Sequence, residues 1–185
     1  MSEILVSLPF IIMVLVEIFL VVFAIFFITQ FFNILFRGFA PYVSTRSEVI
    51  SKIINEIDLK DGEKVYELGC GKAGFLRAFE AKNPRGKFVG FEYSFWPYAV
   101  AKFQLGLSES NIKIYKKNIF KADLKDADLV YCYLNPSMME KLEKKFIAEC
   151  KPGTQIISYT FKLPSKQPTK VIEIKKGHKI YFYTI

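Results

Sequence analysis

The sequence predicts an α/β protein: a mostly parallel sheet with helices on both faces, closed by a C-terminal antiparallel hairpin and preceded by one transmembrane helix. Three observations carry this. Between Lys64 and Phe161, short apolar runs of strand length alternate with longer runs of helical period. The first strand-like run enters a glycine-spaced turn, Gly69-x-Gly71-x-x-Gly74, and then a helical run. From Ile4 to Phe36 the only charged residue is Glu17, and a bilayer core needs only about 20 apolar residues in a helix.

Taken in order, the apolar run comes first. The chain has 185 residues, a formal charge of +8 and 51% hydrophobic residues, and its apolar excess is concentrated in this run. A cleaved signal peptide fits poorly, since a basic leading region is missing and the run is too long. We therefore divide the chain into an anchor, 1–38, and a domain, 39–185. Arg37, Arg46 and Lys52 follow the run and no Lys or Arg precedes it, which places the domain in the cytoplasm as a single-pass membrane protein. Glu17 could mark a partner or pathway in the membrane. The simpler reading is a span from about Val14 to Phe36 with Glu17 near the outer interface.

After the Gly-Pro linker from Arg37 to Ser44, Thr45-x-x-Glu48 has the spacing of a capping box. The helix it predicts carries Val49, Ile50, Ile53, Ile54 and Ile57 on one face, and Asp61-Gly62 ends it. Strands are then predicted at Val65–Leu68, Lys87–Glu92, Ile112–Tyr115, Leu129–Leu134 and Gln155–Phe161. Helices are predicted at Phe75–Lys82, at Phe95–Leu107 with Pro97 in the first turn, and from Pro136 to Cys150 with Met139, Leu142, Phe146 and Ile147 inward. Val171–Ile174 and Ile180–Ile185 flank Lys175-Lys-Gly-His178 as a hairpin.

In such sheets ligands lie at the carboxyl ends of the strands, near the point where strand order reverses. That rim collects the glycine turn, Glu92, Asn118 and Asn135-Pro136. Glycines at a strand-to-helix turn let backbone approach a nucleoside, and helix amides face its polar groups. Glu92, at a strand end, can accept both hydroxyls of a ribose. Glu67 points towards the glycine turn and could brace it or meet a cationic part of the ligand. Asn118 can offer an amide to an adenine edge or serve as a turn residue. Tyr93, Phe95 and Trp96 could wall a purine, or Trp96 could anchor at lipid headgroups. Cys70, Cys132 and Cys150 are an odd, widely spaced set with no CxxC, as expected for reduced thiols; with a single histidine, no metal site is expected.

Glu67-Leu-Gly-Cys-Gly71, Glu92, Lys151-Pro-Gly153 and the terminal hairpin together resemble class I S-adenosylmethionine-dependent methyltransferases, over residues 40–185. The resemblance implies a Rossmann-like class I methyltransferase sheet. More narrowly, the chain resembles small membrane-anchored protein-lysine methyltransferases, those of the mitochondrial ATP synthase c-subunit and the adenine nucleotide translocase, and their prokaryotic relatives. The N-terminal span, Pro41-Tyr-Val-Ser-Thr45, the aromatic stretch around Trp96, and Tyr133-Leu-Asn-Pro-Ser-Met-Met-Glu-Lys-Leu142 carry this. It implies S-adenosylmethionine as cofactor: Glu67, Gly69 and Gly71 on its amino acid part, Glu92 on its ribose, Asn118 on its adenine, and Ser44 and Thr45 closing over it. Cys70, Tyr93 and Tyr133 complete the cofactor set. Asn118 stands where the wider fold usually has Asp, and Asn135 where relatives often have an apolar residue.

Tyr133, Asn135 and Tyr42 are the rim candidates to orient the acceptor. The expected activity is methylation of a lysine on a membrane-associated protein. Alternatives are a cofactor-binding module, transfer to a small-molecule or lipid acceptor, and a nicotinamide-dependent oxidoreductase. The lysine pairs Lys116-Lys117, Lys144-Lys145 and Lys175-Lys176 are scattered, without interleaved stacking aromatics, so no nucleic acid partner is expected. Contact with an anionic leaflet, about 1 kcal/mol per nearby basic residue, accounts for the charge more simply.

Overall fold

The computed structural model describes the backbone of residues 2–37 and 44–185, and the side chains of all of these except 2–7, 33–37 and 176. It comprises two compact units, an N-terminal helix and an α/β domain. Tyr42 lies outside the described residues.

The first unit is α1, Ser2–Arg37. Its segment Leu8–Phe32 has a mean hydropathy of 3.2 and no buried residues, so it is long and apolar enough to cross a membrane. Phe19, Phe23 and Phe27 lie four residues apart and meet ring to ring along it, at centroid separations of 6.0 and 4.6 Å. Glu17 lies inside this segment, nine residues from its start (17 − 8), about 14 Å along the helix axis.

In the second unit the elements are α2 (Ser47–Asn55), β1 (Lys64–Leu68), α3 (Gly74–Lys82), β2 (Lys87–Glu92), α4 (Phe95–Gly106), β3 (Lys113–Lys116), β4 (Leu129–Cys132), α5 (Pro136–Glu149), β5 (Gln155–Tyr159), β6 (Lys170–Glu173) and β7 (Lys179–Thr184). They form one seven-stranded sheet in the order β3-β2-β1-β4-β5-β7-β6. Strands β1 to β5 pair in parallel, and β7 runs antiparallel to both β5 and β6. The order reverses between β1 and β4, so the crevice above that pair is where such a sheet accepts a ligand.

The period-2 alternation of the strands sends two residue sets to opposite faces. Val65, Leu129, Tyr131 and Ile157 join Ile53, Phe75, Phe79 and Ala101 in the buried cluster beneath α2, α3 and α4. On the other face, the Cys132 thiol and the Ser158 hydroxyl meet the Met139 sulfur of α5 at 3.8 and 3.9 Å. Glu143, buried on α5, accepts the amides of Ser165 and Lys166 at 2.9 and 2.6 Å, which ties down the chain after β5.

Local structure departs from expectation in α2, in α5 and at the ends of β4 and β5. Thr45 does not form the capping box: Arg46 is the N-cap of α2, without a side-chain cap, and the Thr45 hydroxyl bonds the Tyr131 phenol at 2.8 Å. The helix also ends at Asn55, before Ile57. Ile147, expected inward, is 62% exposed. The inward stripe of α5 runs Met139, Leu142, Phe146, and the next residue is rotated about 100° away. Strands β4 and β5 stop two residues early, at Cys132 and Tyr159, leaving Tyr133 and Thr160 to the rim.

Candidate functional site

The turn after β1 is closed by one bond of its own, from the Ala73 amide to the Cys70 carbonyl at 2.7 Å, and is otherwise held by its neighbours. Gly69 and Cys70 donate their amides to the Phe91 carbonyl at 2.8 and 3.0 Å. Gly71 donates to Glu92 Oε2 at 2.9 Å, and Ser94 donates to Glu92 Oε1 at 2.7 Å. Gly69 (φ +76°) and Gly71 (φ +53°) are left-handed, a conformation that a Cβ penalises. Ala73 is also left-handed (φ +58°) where the turn enters α3, a strained non-glycine position beside the glycines. The Cys70 side chain points away from the rim, towards Gly90 of β2, where a Cβ would stand 2.7 Å from its Sγ.

Above β1 and β4 this turn borders a cleft whose lining includes Ser44, Thr45, Glu67, Lys72, Arg77 and Tyr133, with Gly69, Cys70 and Gly71 as its floor. Glu67 is the unusual member. It is 6% exposed, and its Oε2 is buried with no hydrogen-bond partner. Burial lifts its carboxyl well above the usual carboxylate range; the Leu76 amide opposes this, and the charge of Glu92 adds to it. An unpartnered buried carboxyl oxygen at a cleft is costly unless a ligand completes it.

The Thr45–Tyr131 hydrogen bond supports one wall. Tyr131 is 1% exposed and stacks on Phe75 at 3.9 Å between centroids. Thr45→Val leaves that phenol without its partner, at an expected cost of about 1–2 kcal/mol, read as a lower urea midpoint at unchanged slope. Tyr133, which also lines the cleft, packs against Tyr159 at 4.7 Å, and Tyr159 in turn lies 5.7 Å from the His178 ring. The three thiols are kept protonated and are not nucleophiles here, because burial pushes Cys70 up, Cys132 to about 12 and Cys150 to about 11.

The structure thus brings together Ser44, Thr45, Glu67, Gly69, Gly71 and Tyr133, with the backbone of Cys70. The other expected residues do not line this cleft. Glu92 sits behind the turn as its brace; with two amides on its oxygens, a carboxylate retains lone pairs for a diol. Asn118 accepts the Phe120 amide at 2.9 Å and caps a 3-10 turn. Asn135 caps α5, accepting the Met138 amide at 3.0 Å and the Ser137 hydroxyl at 2.9 Å. Tyr93 is half-buried beyond Glu92. Lys72 and Arg77 were not anticipated. The signal was present in the two cations at the second glycine and in the first turn of α3.

These residues fit an amino-acid-bearing nucleoside. Glu67 could take an α-ammonium, Lys72 and Arg77 an α-carboxylate, and the glycine floor leaves room for a ligand to lie on backbone.

The model of the family described as ANTKMT methyltransferase domain matches residues 67–170. A protein-lysine N-methyltransferase of Saccharolobus islandicus (strain REY15A) is 29% identical over 152 residues, 78% of this chain and 93% of that one. The adenine nucleotide translocase lysine N-methyltransferase of Mus musculus is 28% identical over 135 residues, 71% of this chain but only 58% of that longer one. Among solved structures, an RNA methyltransferase from Salinibacter ruber in complex with S-adenosyl-L-homocysteine superposes with a TM-score of 0.72 at 23% identity, covering 77% of this chain and 94% of that one. A SAM-dependent methyltransferase from Geobacter sulfurreducens, also with S-adenosyl-L-homocysteine, gives 0.53 at 16% identity, covering 62% and 48%.

Proposed function

The chain belongs to the ANTKMT methyltransferase domain family and is an S-adenosylmethionine-dependent methyltransferase, and from that premise we propose that it transfers methyl groups to lysine on a membrane-associated protein. The observation that carries the cofactor site is the buried, unpartnered Glu67 oxygen at the cleft. The two curated relatives, both named for lysine methylation, support the acceptor class. The helix Leu8–Phe32 supports residence in a membrane, and the cations Arg37, Arg46 and Lys52 after it support a cytoplasmic domain.

The cofactor supplies an activated methyl group on a sulfonium. The protein's share is alignment and exclusion of water, since near-attack geometry alone is worth roughly 7–11 kcal/mol. Glu67, Gly69 and Gly71 hold the amino acid part, Glu92 offers its remaining lone pairs to the ribose, and Ser44 and Thr45 form a wall. Asn118 and Tyr93, outside the cleft lining, would meet the adenine. Tyr133 borders the acceptor side, with its ring set by Tyr159. Asn135 serves by fixing the start of α5 beside it. An amine must lose its proton before it attacks, so turnover rises with pH towards the pKa of lysine.

The test incubates the detergent-solubilised full chain with radiolabelled S-adenosylmethionine and membranes from its own cells. Label on lysine of a membrane protein is the expected result, located by mass steps of about 14 Da, one methylene. Cofactor binding without label on any membrane protein would overturn the acceptor; absence of binding would overturn the site.

A further inference from the structure

Helix α4 packs against the core through Pro97, Ala101 and the partly buried Tyr98 and Leu105, and carries its other bulky apolar side chains outward. Its buried residues are the small ones, Pro97 and Ala101. Trp96, Val100, Phe103 and Leu107 follow at steps of four, three and four, which places them on one stripe of the helix and its C-cap. Trp96 is 46% exposed, Phe103 69% and Leu107 74%, with Phe95 beside them at 55%. Elsewhere among the described residues of the domain, the exposed large hydrophobics are the scattered Tyr115, Ile147 and Val171. Single exposed apolar residues need no explanation, but a continuous stripe marks a surface that meets something.

Its chemistry points to what that is. The Lys116 ammonium lies 5.1 Å from the Phe95 ring centroid, and Lys102 projects from α4 itself. The helix has no acidic residue, and the chain carries a charge of +8. An indole, two phenyl rings and a leucine rimmed by lysines match the boundary between acyl chains and anionic headgroups. A protein partner would have to supply an apolar groove with an acidic rim, whereas an anionic leaflet supplies both along its whole surface.

We propose that α4 docks the domain onto an anionic lipid surface, with Trp96, Phe103 and Leu107 entering the headgroup region and Lys102 and Lys116 meeting lipid phosphates. The inference rests on the membrane reading above and extends it from the anchor to the domain. Because α4 begins three residues after Glu92 (95 − 92), docking would hold the cofactor rim near the leaflet where an acceptor lysine emerges.

Trp96 is the sole tryptophan, so the wild-type chain reports on itself. The full chain is reconstituted into phosphatidylcholine vesicles with and without phosphatidylserine, using lipids brominated near the top of the acyl chains. The expected result is Trp96 quenching by the brominated lipids and protection from aqueous acrylamide, stronger with phosphatidylserine and weakened by salt. Phe103→Glu with Leu107→Glu should abolish both while leaving cofactor binding unchanged, since both side chains are exposed and away from the cleft. Lys102→Glu should weaken docking by roughly fivefold or more. Alkaline carbonate extraction of the same vesicles reports separately on the anchor. Unquenched, acrylamide-accessible Trp96 overturns the docking whether or not carbonate removes the protein. Quenching in carbonate-extractable protein supports docking and removes the anchor.

Discussion

Glu67→Gln is expected to weaken S-adenosylmethionine binding by roughly 10- to 150-fold, the equivalent of about 1.5–3 kcal/mol for a hydrogen bond to a charged group. The same change should make the cofactor-free domain more stable above neutral pH. Both effects follow from one carboxyl, buried and lifted well above the usual range chiefly by desolvation. Gln keeps an oxygen for the Leu76 amide but turns a neutral amide towards the cleft, where a cationic α-amino group needs a carboxylate. The stability effect has a definite sign. Glu67 ionises near pH 4 in the unfolded chain, so folding takes up a proton at any pH between that value and the raised folded one. Its contribution to stability is full below about pH 4 and is lost as pH rises through the folded value. Gln cannot titrate, so the variant's stability should fall less steeply with pH. Wild-type binding should also release a proton as Glu67 ionises against its new partner. Titration calorimetry in two buffers of different ionisation enthalpy reads this directly, and equal heats in both would argue against the assignment.

Gly90→Ala should destabilise the domain by about 1–3 kcal/mol and weaken cofactor binding with it. The new methyl would stand 2.7 Å from Cys70 Sγ, 3.0 Å from Cys70 Cβ and 3.1 Å from Leu76 Cδ1. Neither neighbour can give way cheaply. The amides of Gly69 and Cys70 are tied to Phe91, and Leu76 is fully buried on α3. The strain therefore passes into the turn that floors the cleft. The thermal midpoint of the solubilised chain and the cofactor affinity should fall together. Adding Cys70→Ala removes the nearest atom and should restore part of both; no recovery would show that the strain lies at the Cβ of residue 70 or at Leu76.

The two effects concern residues that differ in how readable they were. Glu67 could be placed from its position two residues before the first glycine. Its orphaned oxygen could not, because that depends on Leu76 and Glu92 packing around it. Gly90 read only as a glycine within a strand; its need for hydrogen at that position comes from a side chain 20 residues earlier (90 − 70) that folds back onto it. Thr45 shows the same limit. Its spacing to Glu48 fits a capping box, but its hydroxyl found Tyr131, 86 residues away. Asn118, read as an adenine partner or a turn residue, and Asn135, read as a residue orienting the acceptor, spend their side-chain oxygens on local caps.

Alternation of strand and helix, the glycine turn and the apolar run of α1 were determined by the sequence itself, because each depends on residues within a few positions of one another. A period of 2 or 3.6 and a missing Cβ are local properties, and local sequence states them. The tertiary structure alone decided that Glu92 braces the turn, that Thr45 supports Tyr131, and that Lys72 and Arg77 join Glu67 around one cleft. It also decided that α4 rests on Pro97, Tyr98, Ala101 and Leu105 and turns Trp96, Phe103 and Leu107 to solvent. Hydrophobicity alone does not separate those two sets, since both faces of the helix carry large apolar residues. The physical reason is common to all of these: which side of an element is buried, and which polar atoms find partners, is set by what the rest of the chain packs against it.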